Sequence, residues 1–197
     1  MDAPELTEQL TRTFAEADQG QALPVDRLFG MLYDDLRHRA QYLMSGERTG
    51  HTLTTTALVH EAYVRLAVDK RNLQTRKQFF GLAARAMRHI LVDHARGRLA
   101  IKRGAGQVRA LPDNVEDVPL RDSADTIDWL ALDEALDRLK SMDERRYQVV
   151  MLRFFAGRME EEIGDLLGVD QRTVRRDWAT ARLWLKSEML ERQQTGA

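Results

Sequence analysis

Residues 159–188 read MEEEIGDLLGVDQRTVRRDWATARLWLKSE, and the way this stretch folds decides the rest of the chain. Ile163, Leu166 and Leu167 recur at the three-to-four spacing of a short amphipathic helix, and Gly164 leaves room for a helix that crosses it. Gly168 stands where a helix end calls for positive φ. Asp170 can then cap the following helix by accepting from its first free amides. Val174 points inward, while Gln171, Arg172, Thr173, Arg175 and Arg176 lie along the first turns of the second helix. This is the pattern of a helix-turn-helix, with bases and amides where a recognition helix meets base edges and phosphates. An ordinary helical hairpin with a glycine turn would share the apolar spacing but has no need of the basic cluster. Trp178 and Trp184 are read as packing residues and not as platforms for bases.

Outward from this motif the pattern is helical throughout and strand alternation is nearly absent. PELTEQLTRTFAEA forms a first amphipathic helix, and Pro24 opens a second whose stripe is Val25, Leu28, Leu32, Leu36 and Leu43. A turn at Ser45–Gly50 precedes a helix from Ala57 to Leu66, and a long helix runs from about Arg76 to Arg98. Periodicity fails in GAGQVRALPDNVEDVPLRDSAD, rich in glycine, proline and acid, and resumes at Ile127. The expected fold is all-α: two small helical domains, 4–104 and 125–193, joined by a flexible acidic linker over 105–124.

The formal net charge is only −1, yet the charge is unevenly spread. Between Arg65 and Arg109 bases dominate, with Asp69 and Asp93 the only acids; between Asp113 and Asp137 acids dominate, with Arg121 the only base. A basic block beside an acidic one points to a polyanionic partner for the first. In the long helix, Lys77, Arg85, Arg88, His89, Arg96 and Arg98 fall on or near the outer faces once Phe79, Phe80, Ala83, Met87 and Ile90 are turned inward. Such residues suit phosphate contacts that position a protein on nucleic acid.

Several function classes are disfavoured. The chain has no cysteine, which removes disulfides, thiolate zinc sites and cysteine nucleophiles and fits a reducing compartment. No apolar run approaches the roughly 18 residues that span a bilayer, and the first residues carry acids in place of a signal peptide's bases. A soluble cytoplasmic location is expected. His60-Glu61 begins like HExxH, but Val64 stands where the second histidine belongs. No phosphate-cradling glycine loop or nucleophile elbow occurs. No enzyme, metal or cofactor is expected.

The two halves together resemble bacterial sigma factors of the extracytoplasmic-function (ECF) type, which carry sigma regions 2 and 4. ALVHEAYVRL corresponds to the helix that docks on the clamp coiled coil of RNA polymerase core, implying Leu58, His60, Glu61 and Arg65 as docking residues. FFGLAARAMRHILVDHARGR corresponds to the segment that melts and reads the −10 element, and MEEEIGDLLGVDQRTVRRDW to the reader of the −35 element. The implied partners are promoter DNA and the clamp and flap of the core enzyme; an anti-sigma factor is left open. A helix-turn-helix regulator acting without replacing the housekeeping sigma factor is the alternative.

One departure stands out. The family carries several acids just before its docking helix, whereas this chain has Thr54, Thr55, Thr56 and Ala57. Uncharged hydroxyls cannot pair with the bases of polymerase, so the threonine run suggests a switch. A serine/threonine kinase would restore the charge, with Thr52 the first candidate for phosphorylation and Thr56 the second. Uncharged caps that polymerase tolerates are the plainer reading.

Overall fold

The computed structural model describes residues 3–18, 24–45, 53–68, 73, 75–103 and 127–195. The expected linker at 105–124, the turn after Ser45 and Thr52 lie outside the described residues. Among the described residues there are helices and no strand, as the periodicity requires.

The first half holds four helices: α1 (Ala3–Asp18), α2 (Val25–Met44), α3 (Thr55–Val68) and α4 (Arg76–Arg103). Pro24 precedes α2 as its N-cap, one position earlier than the first helical turn expected for it. Leu28, Leu32, Leu36 and Leu43 of α2 are all buried, against Leu58, Val59, Ala62 and Leu66 of α3. Helix α4 starts at a reciprocal capping box. The Gln78 amide donates to the Thr75 hydroxyl at 3.2 Å, and the Thr75 amide donates to the Gln78 side-chain oxygen at 3.1 Å. Its length follows from a run of strong helix formers, Leu82 to Met87 above all. Phe14 of α1 seals this end, with ring centroids 6.1 Å from Phe79 and 6.0 Å from Phe80.

The second half holds α5 (Trp129–Met142), α6 (Glu144–Val150), α7 (Glu160–Leu167) and α8 (Gln171–Thr195). Asp128 caps α5, accepting from the amides of Leu130 and Ala131 at 3.1 and 3.0 Å. Asp143 ends α5 in an extended conformation and caps α6 by accepting from the Arg146 amide at 2.9 Å. The periodicity through this region hides that break.

Helix α6 runs into a π-helical turn at Met151–Phe155, in which Met151, Leu152, Phe154 and Phe155 are all buried. The wider turn adds a residue to the inward face. Phe154 and Phe155 meet edge to face at 5.0 Å with Trp129 beside both.

The halves pack together. Helix α4 lies against α5 and the π-turn, and buried apolar side chains form one continuous cluster across both halves. Arg39 of α2 donates two hydrogen bonds to the Phe154 carbonyl, which the end of the π-turn leaves without a helical partner. Gly157 follows at φ 67°, and a Cβ there would lie 3.1 Å from Cδ of Arg39. Any other residue would be strained in this backbone conformation and would push the Arg39 side chain aside by a few tenths of an ångström. Arg158 lies over the Phe80 ring at 4.6 Å and pairs with Glu162 at 3.2 Å and Asp35 at 3.4 Å.

Candidate nucleic-acid and polymerase-docking surfaces

The helix-turn-helix has the geometry read from its sequence. Gly168 adopts φ 68°, ψ 36°, and the Val169 amide donates back to the Gly164 carbonyl at 3.0 Å. A Cβ on Gly164 would sit 2.7 Å from the Val169 carbonyl oxygen, so the glycine admits the turn and the start of α8. Asp170 accepts from the Thr173 amide at 2.8 Å and its hydroxyl at 2.9 Å. These bonds, the amide first, hold the Asp170 carboxyl below its usual range. Thr173 is half-buried as part of this cap, and Val174 is fully buried.

Gln171, Arg172, Arg175 and Arg176 are exposed, and Ala179 and Thr180 continue the same open surface. Residues 172, 175, 176 and 179 share one helix face. Trp178 is buried and Trp184 partly buried against the core, which makes them packing residues.

The sequence does not reveal how Arg175 is held. Its guanidinium reaches back to Glu160 of α7 at 3.0 Å, and Glu160 also pairs with Arg153, whose guanidinium lies 5.0 Å from the Trp178 ring centroid. The Arg153 hydrogen bond is the main influence on the Glu160 carboxyl; Arg175 adds to it, burial opposes both, and the carboxyl is held below its usual range. Deeper in the same half, Asp177 is buried and receives Arg145 Nε at 2.6 Å.

On α4 the six basic candidates separate. Lys77, Arg85, His89 and Arg96 are exposed and Arg98 is half-buried. Arg88 corrects the expectation of an outer position: it is 5% exposed. Its Nε donates to Asp133 Oδ1 at 2.7 Å, and its Nη2 to the Asp133 carbonyl at 2.8 Å and Asp137 Oδ1 at 2.6 Å. Tyr147 Oη stands 3.4 Å from Nη1. Arg96 joins the cluster, donating to Asp133 Oδ2 at 3.2 Å. The reason for the misplacement is tertiary: the α4 face that carries Arg88 is covered by α5, a contact that no local periodicity encodes. Lys77 and Arg85 line a cleft of about 190 Å³ opposite Glu144, Tyr147 and Gln148.

Helix α3 brings a second correction. Leu58 is fully buried, so it builds the core and cannot meet a partner. His60 and Glu61 are exposed, and Arg65 pairs with Asp93 at 3.1 Å. The apolar side chains open to solvent on this helix are Val64 and Val68, at 57% and 78% exposure. They stand four residues apart, outside the buried stripe of Leu58, Ala62 and Leu66; that spacing was the available signal. Thr54 begins the helix, its hydroxyl accepting from the Ala57 amide at 3.1 Å. Thr56 is exposed in the first turn, which contains no acid.

Among the described residues no helix is long and apolar enough to cross a membrane, and no group of acids and histidines is placed to hold a metal ion. No curated protein and no solved structure matches the chain. The model of the ECF sigma factor family matches residues 7–191, nearly the whole length. The helix-turn-helix with its open basic face and the helical half before it thus belong to one continuous match, and the chain is a member of the ECF sigma factor family, whose proteins bind RNA polymerase core and promoter DNA to initiate transcription.

Proposed function

We propose that this sigma factor divides promoter recognition between two helical modules, 4–104 and 125–193, tethered by the segment 105–124. The second module reads the −35 element through Gln171, Arg172, Thr173, Arg175 and Arg176. The first contacts the −10 element through Lys77, Arg85, His89, Arg96 and Arg98, with Arg88 joining when it is uncovered. It docks on the polymerase clamp through His60, Glu61 and Arg65, to which Val64 and Val68 add apolar area. The observation that carries this reading is the solvent-facing surface of Arg172, Arg175 and Arg176 on the second helix of the motif. A tether between two modest binding surfaces raises the effective concentration of the second once the first is bound.

Run-off transcription with core enzyme tests the division of labour. Arg176→Ala removes a DNA contact worth about 1–3 kcal/mol and is expected to weaken −35-dependent initiation while polymerase pull-down stays intact. Loss of polymerase association in that variant would contradict the assignment.

The docking helix is the proposed point of control. Its first turn has no acid, and a phosphothreonine would bring about −1.5 to −2 charge and three acceptor oxygens. At a helix N-terminus that charge is also favoured by the free amides and the helix dipole. A serine/threonine kinase acting on Thr52 first, or Thr56 second, would license docking. Transcription is compared before and after kinase treatment for the wild type, Thr52→Ala, Thr52→Glu and Thr56→Ala. Equal activity of treated and untreated wild type would remove the switch.

A further inference from the structure

We infer that Glu160 is a positioning residue for base reading: it holds Arg175 by one edge and presents the free end of that guanidinium to a guanine, which sets base preference at one position of the DNA. The inference rests on the reading that α8 contacts the −35 element.

The geometry of the pair decides which donors remain available. Nε and Nη2 of Arg175 both lie 3.0 Å from Glu160 Oε2, so the carboxylate engages the side of the planar fork. A guanidinium has five N–H donors. Those left over belong to Nη1 and to the outer N–H of Nη2, at the tip of the fork. Two parallel donors there match O6 and N7 of guanine in the major groove, the bidentate contact by which arginine most often specifies a base. Adenine sets an amino donor against one of them and cannot accept from both.

Glu160 is fixed more firmly than the arginine it holds. Its side chain is 17% exposed, against 66% for Arg175. Its other oxygen, Oε1, accepts from Arg153 of the π-turn, and Arg153 lies in turn over the buried Trp178 of α8. An ion pair this open to solvent contributes little to stability, so its effect lies in orientation. An arginine ordered before DNA arrives has less freedom to lose on binding.

Arg172 and Arg176 are placed differently. Both are exposed, and among the described residues neither pairs with a carboxylate. Their full charge suits phosphates, whereas the carboxylate beside Arg175 repels a phosphate.

Transcription by the full-length protein on core polymerase tests this. The templates are a barcoded pool randomised through the −35 and −10 elements, and sequencing the transcripts gives the base preference at each position. Wild type is expected to prefer guanine at one −35 position by roughly five- to a hundred-fold. Arg175→Ala, and Arg175→Lys, which keeps the charge without the fork, should abolish that preference and leave other positions unchanged. Glu160→Ala should reduce it at the same position by about three-fold or more. Glu160→Ala/Arg175→Ala should do no more than Arg175→Ala alone, because a positioning residue acts only through its partner. Glu160→Gln, of equal length but uncharged, should lie between Glu160→Ala and wild type.

A uniform loss across all templates in Glu160→Ala, as a merely structural role requires, overturns the inference. So does an unchanged guanine preference, or a uniform rise in output that would make Glu160 only a repulsive charge. Circular dichroism checks the fold of each variant; where Glu160→Ala does not fold, Glu160→Gln decides, and an intact preference overturns the inference. Arg176→Ala separates the two levels. If neither Arg175→Ala nor Arg176→Ala alters output or −35 preference, the reading of α8 fails and the inference falls with it. If Arg176→Ala lowers output while Arg175→Ala leaves the guanine preference in place, only the inference fails.

Discussion

Replacing Arg88 with alanine probes the seam between the halves. Breaking a buried ion pair by removing one partner costs about 3–5 kcal/mol when the other charge is left stranded. Here the stranding is incomplete. Asp133 keeps Arg96 at 3.2 Å, and the Asp137 side chain is 67% exposed and can take water in place of the guanidinium. The Asp133 backbone carbonyl and Tyr147 hydroxyl lose a partner as well. The expected cost therefore falls to the bottom of that range or just below it, at about 2–3 kcal/mol. Arg85→Ala, one turn earlier on an exposed face, should stay within about 0.5 kcal/mol. Urea unfolding followed by far-ultraviolet circular dichroism measures both. Arg88→Met, which keeps an apolar stem in the space, should recover part of the loss. Equal, near-zero costs for Arg85→Ala and Arg88→Ala would refute the reasoning, because they would mean that Arg88 is solvated in the free protein.

Leu58→Ala should cost about 2–5 kcal/mol as a cavity in a fully buried site, whereas Val64→Asp should leave the urea midpoint nearly unchanged and reduce polymerase pull-down. Gly168→Ala meets no neighbour within 4 Å, so its cost is confined to holding φ 68° with a side chain, about 1 kcal/mol by thermal unfolding. Glu160 has a folded pKa below its ordinary value of 4.5. Its stabilising contribution is thus complete above that value and is lost as pH falls through the lower folded value; Glu160→Gln should make acid unfolding less steep there, as followed by Trp fluorescence.

The elements legible in the sequence are those whose cause is local. Gly168 and Asp170 announce the turn of the helix-turn-helix because each residue type answers a backbone requirement at its own position, and both are found in those roles. The stripe Leu28, Leu32, Leu36 likewise states which face of α2 is buried. Arg88 and Leu58 show where such reading stops. An arginine at the margin of an apolar stripe is outward by periodicity and inward only if an acidic partner arrives from 45 residues away. Leu58 enters the docking set through family resemblance alone, whereas its four-residue spacing with Ala62 and Leu66 is that of a buried stripe, and all three are buried. The π-turn at Met151–Phe155 was invisible for another reason: its apolar residues fit an α-helical pattern, and the inserted residue shows only in the hydrogen bonds that follow it.

The reversal of charge along the chain takes on a more specific meaning once the partners are known. Asp133 and Asp137 belong to the acidic block, Arg88 and Arg96 to the basic one, and the four meet at one seam. Ordinary helix packing would be served by apolar side chains of similar volume, often with equal or greater stability than a buried ion pair. What ionic side chains add is geometric selectivity: the planar fork of Arg88 is satisfied by oxygens placed as those of Asp133 and Asp137 are, and this fixes which face of α5 is turned to α4. A leucine at position 88 could pack against α5 but would tolerate other rotations of it. The pairs that Asp137 and Arg96 make are largely exposed, so salt should screen them before it reaches the buried pair of Arg88 with Asp133.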